Sequence, residues 1–363
     1  MNLGFTDKLV ELVMAIPKIE LHLHLEGAIP LETLFNLIQS QGKDTSIKNL
    51  NDLRKKLTYI DFAHFIEIWI WKNSFIQQEK DFEPIAYQVL ASLSKQNVKY
   101  VEAFYSPGDY SKQGMSTPGI TEYLIKGKQK AYHDFGIQSE LILDVIRGDG
   151  IEIAMQRLKQ VTPYLGKGVI GIGLGGSEQK YPAAPYVSVY QEAKERGFRL
   201  TAHAGEAAGA ESIWTVIEKL GVERIGHGFR AYEDPKLLAR LKQKQIPLEM
   251  CLISNLRTGV CPSLKTHPIK QYFKQGLMVT VNSDDPTMFN TNISQEYLAL
   301  VQKLGFTIKD LKRLSLNSIK ASFLSEPNKQ IMKSRFEKEW QQILNEYRVE
   351  DKEKSGGTSR IIF

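Results

Sequence analysis

The chain has 363 residues, of which 42% are hydrophobic and 24% are charged, so it can bury a large core and does not have the composition of a disordered protein. Its 47 Lys and Arg against 41 Asp and Glu give a formal net charge of +6 that is spread along the chain, which does not indicate a nucleic-acid partner. Because there are only two cysteines, no apolar run of the roughly 20 residues that a membrane span needs and a poor match to a signal peptide, we predict a cytoplasmic protein without membrane contact.

Eight short apolar runs alternate along the chain with segments of helical periodicity. In chain order, these predicted strands cover residues 16–25, 98–106, 139–147, 168–176, 197–206, 222–229, 246–254 and 277–285. Strands that alternate with helices are typical of a parallel sheet. Eight such units predict an α/β fold of the closed (β/α)8 TIM barrel type, with an open doubly wound sheet as the alternative.

The connection after the first strand is unusually long, from residue 29 to about residue 97, and it is rich in aromatic residues. We predict a helical insertion that packs over the mouth of the barrel. Its aromatic side chains have two possible roles. They pack in the core, which is the more frequent role of aromatic residues at helical spacing, or they form an apolar lid over a planar ligand. One domain is predicted over residues 1–348, and the charged, glycine-rich segment 349–363 is predicted to be a disordered tail.

Polar residues of the eight runs fall at the carboxyl ends of the predicted strands, where the active site of a barrel lies. His22 and His24 stand two apart, so a strand places both imidazoles on one face. Taken alone, the two histidines could also occupy polar positions of the barrel interior without binding a metal. His203 and Asp284 come from the ends of the fifth and eighth runs, and three imidazoles with one carboxylate form a set of ligands suited to zinc.

Three further polar residues accompany this set. Glu206, three residues after His203, could be a general acid shielded from water or a carboxylate at a helix N-terminus. His227 lies between two glycines and could face a ligand or be an ordinary core histidine. Asp285, next to Asp284, could face a ligand, although Asp-Asp-Pro is also common in turns. The remaining histidines are predicted to be surface or structural residues: His64, His133 and His267.

The motifs PKIELHLHLEGA, GIGLGGSE, HAGE, RIGHG, SNLRTG and NSDDP follow one another on successive strand ends. In this order they resemble the adenosine deaminase family of metal-dependent amidohydrolases, over residues from about 17 to 323. The resemblance implies a (β/α)8 barrel that binds one Zn²⁺ per chain. It also implies hydrolysis of the 6-amino group of an adenine-type purine to the 6-oxo product and ammonia.

Carried over motif by motif, the resemblance implies zinc ligands at His22, His24, His203 and Asp284. Glu206 would protonate purine N1, His227 would orient and stabilise the attacking hydroxide, and Asp284 would pass the proton of the water to the leaving ammonia. Asp285 would hold purine N7, and Gly176 would offer its backbone N–H to N3. The implied reaction is attack of a zinc-bound hydroxide on C6 of adenosine or deoxyadenosine, which gives inosine or deoxyinosine.

The substrate depends on positions at which the motifs depart from the family pattern. Glu26 stands where many adenosine deaminases have an Asp that contacts the ribose, and Gly173 stands where many have Asp. Glu at that place resembles relatives that act on free adenine or on modified nucleosides, whereas the pair Gly175 and Gly176 resembles the nucleoside enzymes. We place adenosine first, 5′-modified adenosines such as methylthioadenosine or aminodeoxyfutalosine second and adenine third. A nucleoside-binding barrel without turnover and a hydrolase of esters or amides are the alternatives from other classes; the intact Glu206 and His227 weigh against the first.

Overall fold

A computed structural model gives the fold and describes residues 5–60 and 62–347. Its strands are β1 Lys18–His24, β2 Val98–Tyr105, β3 Gln138–Ile146, β4 Val169–Gly175, β5 Arg199–Ala204, β6 Arg224–His227, β7 Leu248–Met250 and β8 Val279–Val281. Each strand pairs in parallel with the next one along the chain. Seven of the eight lie inside the predicted runs, and β3 begins one residue earlier than predicted.

The last strand returns to the first just beyond its carboxyl end. The backbone N–H of Asp284 donates to the His22 carbonyl at 3.0 Å, and the N–H of His24 donates to the Asp284 carbonyl at 2.9 Å. These bonds join the two edges of the sheet. The predicted (β/α)8 barrel is therefore confirmed, and the open doubly wound sheet is wrong.

Helices alternate with the strands and surround the barrel. They are α1 Phe5–Ala15, α2 Leu31–Gln41, α3 Leu50–Lys56, α4 Phe62–Asn73, α5 Phe82–Ser94, α6 Thr117–Phe135, α7 Ile151–Val161, α8 Val187–Glu195, α9 Ala210–Thr215, α10 Pro235–Lys244, α11 Leu252–Arg257, α12 Ile269–Gln275, α13 Pro286–Phe289, α14 Ile293–Leu304, α15 Ile308–Ala321 and α16 Glu326–Glu346. No helix in the described part of the chain is both long and apolar enough to span a bilayer. The predicted tail 349–363 lies outside the described residues.

The strand β1 shows how the sequence builds both the core and the site. All seven of its residues are buried. The apolar Ile19, Leu21 and Leu23 alternate with the polar Glu20, His22 and His24. Since successive side chains of a strand point to opposite faces, the polar set shares one face and the apolar set shares the other. One strand thus contributes to the apolar core and to the polar barrel interior.

The insertion after β1 is helical, with α2, α3 and α4 preceding α5. Phe65 of α4 packs against Tyr59, with ring centroids 5.2 Å apart, and against Phe289 of α13, with ring centroids 5.5 Å apart. The insertion therefore meets the segment that follows β8, beside Asp285. Phe75 is 2% exposed and packs against Trp71 in ordinary core fashion. Aromatic residues of the insertion thus serve both the core and the edge of the barrel mouth.

Candidate active site

The predicted metal ligands converge at the carboxyl ends of β1, β5 and β8. The Nε2 atoms of His22 and His24 each lie 3.4 Å from Asp284 Oδ1, and those of His24 and His203 lie 3.2 Å apart. These separations match the edge of about 3.3 Å in a tetrahedron with metal–nitrogen distances of about 2.0–2.1 Å. All four side chains are buried, and His22 Nε2 has no hydrogen-bond partner among residues 5–60 and 62–347. The set of donors fits one Zn²⁺.

Contacts behind two of the histidines aim their Nε2 atoms at this centre. His22 Nδ1 lies 2.8 Å from Glu249 Oε2, and His203 Nδ1 lies 3.1 Å from the Leu174 carbonyl. Glu249 is in turn paired with the buried Arg224 guanidinium, which also bonds the Glu102 carboxylate. Such outer contacts orient imidazole ligands and set their tautomer. Neither Glu249 nor Arg224 was identified from the sequence.

Glu206 and His227 lie next to the ligand group. His227 Nε2 is 3.6 Å from Glu206 Oε2 and 3.8 Å from Asp284 Oδ2. Burial, and then the negative charges of Asp284 and Glu178, raise the pKa of Glu206 to about 8. A carboxyl with such a pKa holds its proton at neutral pH and can act as a general acid. Burial lowers the pKa of His227 to about 3, so its imidazole is neutral.

The backbone at His227 and Asp284 is in the left-handed region, with φ of 59° and 63°. Residues other than glycine rarely adopt this backbone conformation, which costs on the order of 1–3 kcal/mol per residue. The glycine before His227 has a separate reason. A Cβ on Gly226 would lie 2.8 Å from His22 Cε1, so only glycine lets the His22 ring lie against β6.

Glu178 holds the loop that carries Glu206. Its carboxylate accepts from the backbone N–H groups of four consecutive residues, at 2.6, 3.1, 2.8 and 2.9 Å. The residues are Gly205, Glu206, Ala207 and Ala208. The helix α9 begins only at Ala210, with Glu211 in its first turn. The interpretation of Glu206 as a carboxylate of the first helical turn is therefore wrong.

Glu178→Gln is expected to lower kcat about 10- to 100-fold with unchanged metal content, because a neutral amide replaces the charged acceptor of four N–H groups and can donate where they need an acceptor. Steady-state kinetics and metal analysis measure both quantities. Glu192→Gln, at a surface ion pair with Arg196, is the matched control and should leave kcat unchanged. Equal kcat values in the two variants would show that the loop keeps its position without the Glu178 charge.

Asp285 and Gly176, which the resemblance predicts to contact the purine, follow β8 and β4 in the chain. Asp285 is 8% exposed, and its Oδ1 atom has no hydrogen-bond partner within the described residues. A Cβ on Gly27 would lie 1.8 Å from that atom, so the glycine of the HLEG motif makes room for the Asp285 carboxyl. The Asp-Asp-Pro segment is more than a turn, since both carboxyl groups are buried at the site.

Glu26 is part of a polar group that the sequence revealed only in part. Its Oε1 accepts from the Ser106 N–H at 2.9 Å, and the Ser106 hydroxyl donates to Asp144 Oδ2 at 3.0 Å. The remaining oxygens, Glu26 Oε2 and Asp144 Oδ1, are buried without a partner in the described structure. Burial raises the pKa of each carboxyl to about 7. The sequence analysis missed Asp144. It is a polar residue near the carboxyl end of β3, and the search for polar residues at strand ends could have found it.

The departure from the family pattern at Gly173 has a steric reason. A Cβ at this position would lie 2.5 Å from Phe104 Cε1, because the Phe104 ring fills the space beside β4. The Asp144 carboxylate lies next to the same strand, 3.6 Å from that Cβ position. The barrel interior here therefore holds a carboxylate from β3 and has no room for one from β4.

Fold and site together define a class of protein. A parallel barrel with three imidazoles and a carboxylate at its catalytic end, and a carboxyl of raised pKa beside them, is the arrangement of a metal-dependent hydrolase.

Comparison with known proteins agrees with this class. The family model described as adenosine deaminase matches residues 17–339. The chain is 36% identical over 325 residues to the adenine deaminase of Wolinella succinogenes, a match that covers 88% of this chain and 97% of that protein. It is 33% identical over 323 residues to an adenosine deaminase of Clostridium botulinum, with 88% and 96% covered. A solved amidohydrolase from Burkholderia ambifaria with bound Zn has a TM-score of 0.87 at 25% identity, with 95% of this chain and 96% of that chain covered.

The chain belongs to the adenosine deaminase family. It is a hydrolase of C–N bonds and a deaminase of adenine- or adenosine-type substrates. The predicted family is confirmed, whereas the names of these relatives include both adenine and adenosine and leave the exact substrate open.

Proposed function

We propose that the chain hydrolyses the 6-amino group of adenosine or deoxyadenosine, giving inosine or deoxyinosine and ammonia, with one Zn²⁺ held by the four converging ligands. The observation that carries the proposal is the position of Glu206. An acid of raised pKa stands beside His227 and the buried ligand group, at the same end of the barrel. Attack on C6 of an adenine ring needs a proton on N1, and the Glu206 carboxyl supplies it.

The four ligands His22, His24, His203 and Asp284 fit Zn²⁺, which supplies a Lewis acid that makes water acidic near neutral pH. Glu206 transfers its proton to purine N1. His227, neutral and held beside Asp284, orients the attacking oxygen through Nε2. Asp284 accepts one proton of that water through Oδ2 and passes it to the leaving amino group, and the second proton of the water restores the Glu206 carboxyl. Ser254 donates to Asp284 Oδ2 at 2.6 Å and fixes its orientation.

Two residues hold the purine ring. Asp285 presents a buried carboxyl to N7, and burial followed by the charge of Asp284 raises the pKa of this carboxyl well above its usual range. In its protonated form this carboxyl donates a hydrogen bond to N7. Gly176 offers its backbone N–H to N3, and its φ of 89° places the peptide in a conformation that favours glycine.

The carboxyl groups of Glu26 and Asp144 support a nucleoside as the substrate. Each has one buried oxygen without a protein partner within the described residues, and a buried polar atom of this kind is costly unless it is hydrogen-bonded. Ribose hydroxyls supply such bonds, and free adenine has no hydroxyl. Adenine, which the sequence placed third, is the alternative substrate, because Glu26 resembles the adenine-specific relatives and several of the matched relatives bear that name.

The substrate is tested by comparing kcat/KM for adenosine, deoxyadenosine, methylthioadenosine, aminodeoxyfutalosine, adenine and AMP on zinc-loaded protein. Adenosine or deoxyadenosine is expected to lead by at least about tenfold, which is about 1.4 kcal/mol of transition-state preference. In Asp144→Asn, kcat/KM for the preferred nucleoside is expected to fall about tenfold and that for adenine to change less than about twofold.

A larger kcat/KM for adenine, or an equal loss for both substrates in Asp144→Asn, would contradict the nucleoside assignment. Lys128, which pairs with Glu140 near the other end of β3, offers a control at a distance from the site. Lys128→Gln should leave the ratio of the two kcat/KM values unchanged.

A further inference from the structure

A second histidine stands behind His227. His267, which the sequence analysis placed among surface or structural residues, is 4% exposed, and Asn255 between the two rings is fully buried. Asn255 Nδ2 lies 3.2 Å from His227 Nδ1, and Asn255 Oδ1 lies 3.2 Å from His267 Nε2. His267 Nδ1 in turn accepts a hydrogen bond from the backbone N–H of Ile269 at 3.2 Å. These contacts form one unbranched chain, from here on the His227 relay, which runs from β6 to the start of α12.

The direction of every bond in the His227 relay follows from its last member. A backbone N–H can only donate, so His267 Nδ1 carries no proton and its Nε2 must carry one. That Nε2–H donates to Asn255, which fixes the amide with its oxygen towards His267 and its NH₂ towards His227. The NH₂ donates to His227 Nδ1, which is therefore unprotonated. The single proton of the His227 ring lies on Nε2, the atom nearest to Glu206 and Asp284.

We propose that Asn255 and His267 are positioning residues that hold His227 in the tautomer with its proton on Nε2. The proposal deepens the function proposed above, since it takes His227 as the group that orients the attacking oxygen. Nε2–H can donate a hydrogen bond to that oxygen, whereas the other tautomer presents a lone pair that repels it. An isolated neutral imidazole does not hold one tautomer strictly, so the environment must select it.

Contacts with neighbouring residues hold His267 and Asn255 of the His227 relay in position. Ile269 is the first residue of α12, and the N–H groups of a first helical turn have no acceptor within the helix, so His267 Nδ1 also satisfies the helix start. The rings of His267 and Phe229 pack in a T-shaped arrangement, with centroids 5.3 Å apart. Asn255 is held in α11 and accepts through its carbonyl from the Cys261 N–H at 2.7 Å. A reversal of the relay would leave the Ile269 N–H facing another donor.

The tautomer is measured directly by NMR of protein in which the histidine side chains carry ¹⁵N. The chain has seven histidines, and His227→Gln assigns the His227 signals by their disappearance. In zinc-loaded, substrate-free wild type, His227 Nδ1 is expected to give the signal of an unprotonated nitrogen and Nε2 that of a protonated one. In Asn255→Asp the carboxylate only accepts, so the proton is expected to move to Nδ1.

The variants that change the His227 tautomer are also expected to lower kcat. Asn255→Asp is expected to lower kcat about 100-fold or more with KM within about threefold, because the His227 ring has no role in holding the purine. His267→Gln retains an N–H donor in place of Nε2 and is expected to keep the wild-type tautomer and at least about one third of kcat. His267→Phe has no donor at this position and is expected to lose both the wild-type tautomer of His227 and most of kcat. Asn317→Asp, on α15 with its amide bonded to the Val279 carbonyl, is the matched control for a new carboxyl far from the site.

A protonated Nδ1 on His227 in the wild type would overturn the proposal, and so would an unchanged tautomer in both Asn255→Asp and His267→Phe. The wild-type measurement uses one variant only, His227→Gln, which serves to assign the signals. It also needs no substrate. A wrong substrate assignment would therefore leave the expected spectrum intact, and a wrong tautomer would leave the substrate comparison intact.

Discussion

Glu206→Gln is expected to lower kcat by about 1,000-fold or more, at the upper part of the range for loss of a general acid. Glutamine has the same shape and can still donate a hydrogen bond to purine N1, but it cannot transfer a proton to it. Substrate binding is therefore expected to change little, with KM within about threefold of wild type. The four metal ligands do not include Glu206, so zinc content per chain should stay the same.

The pH dependence provides a second readout for the same residue. Because burial raises the pKa of Glu206 to about 8, its carboxyl is protonated below that pH and ionised above it. Activity that needs the acid form is therefore present at low pH and lost as the pH rises through about 8. The residual activity of Glu206→Gln should lack this decline.

Glu218→Gln is the control for Glu206→Gln, since the Glu218 side chain is half exposed and pairs with Arg240. Its kcat and pH profile should equal those of the wild type. If Glu206→Gln kept more than about a tenth of wild-type kcat, the carboxyl would not be the proton donor. A protein that only binds nucleosides would show no difference in ligand affinity between the two variants.

The second large effect is expected at the metal site. His203→Asn is expected to lower the zinc content of purified protein to well below one per chain and to lower kcat by about 1,000-fold or more, since the ion provides much of the activation of water. Asparagine cannot place a nitrogen at the Nε2 position of His203, which is 3.2 Å from His24 Nε2. The three remaining ligands can still bind the ion, but more weakly.

Atomic emission measures zinc after gel filtration, and activity is measured with and without added Zn²⁺. Added zinc should restore only part of the activity, because the tetrahedral set stays incomplete. His133→Asn is the matched control, since the His133 side chain is 88% exposed and far from the ligand group. Full zinc content together with full activity in His203→Asn would remove His203 from the ligand set.

The eight strands and the ligand set could be predicted because both depend on local patterns. A strand end is visible as an apolar run with polar residues in its last positions, as in the runs whose carboxyl ends contain His22, His203 and Asp284. Parallel strands of a barrel then bring those ends together whatever their separation in sequence. The interpretation of Glu206 as a helix-start residue was wrong because the loop after β5 continues to Gly209 before α9 begins.

The contacts that orient these side chains could not be predicted, because each joins residues from separate elements. Glu178 follows β4 and holds the loop after β5, and the His227 relay joins β6 to α11 and α12. No periodicity encodes such a contact. His267 shows the difference: its sequence context is that of a loop histidine, and only the structure shows that it is buried against Phe229 and Asn255.

By itself, the sequence determined the barrel and the four candidate ligands, since strand periodicity and the chemistry at strand ends are local properties of the chain. The resemblance of its motifs indicated the family and the residues proposed to contact the purine. Only the tertiary structure decided which groups share a cavity: the carboxyls of Glu26 and Asp144 bridged by Ser106, the loop held by Glu178, and the direction of the His227 relay. The physical reason is that hydrogen bonds and pKa shifts depend on distances of a few ångströms and on burial, and both arise only when distant segments pack together.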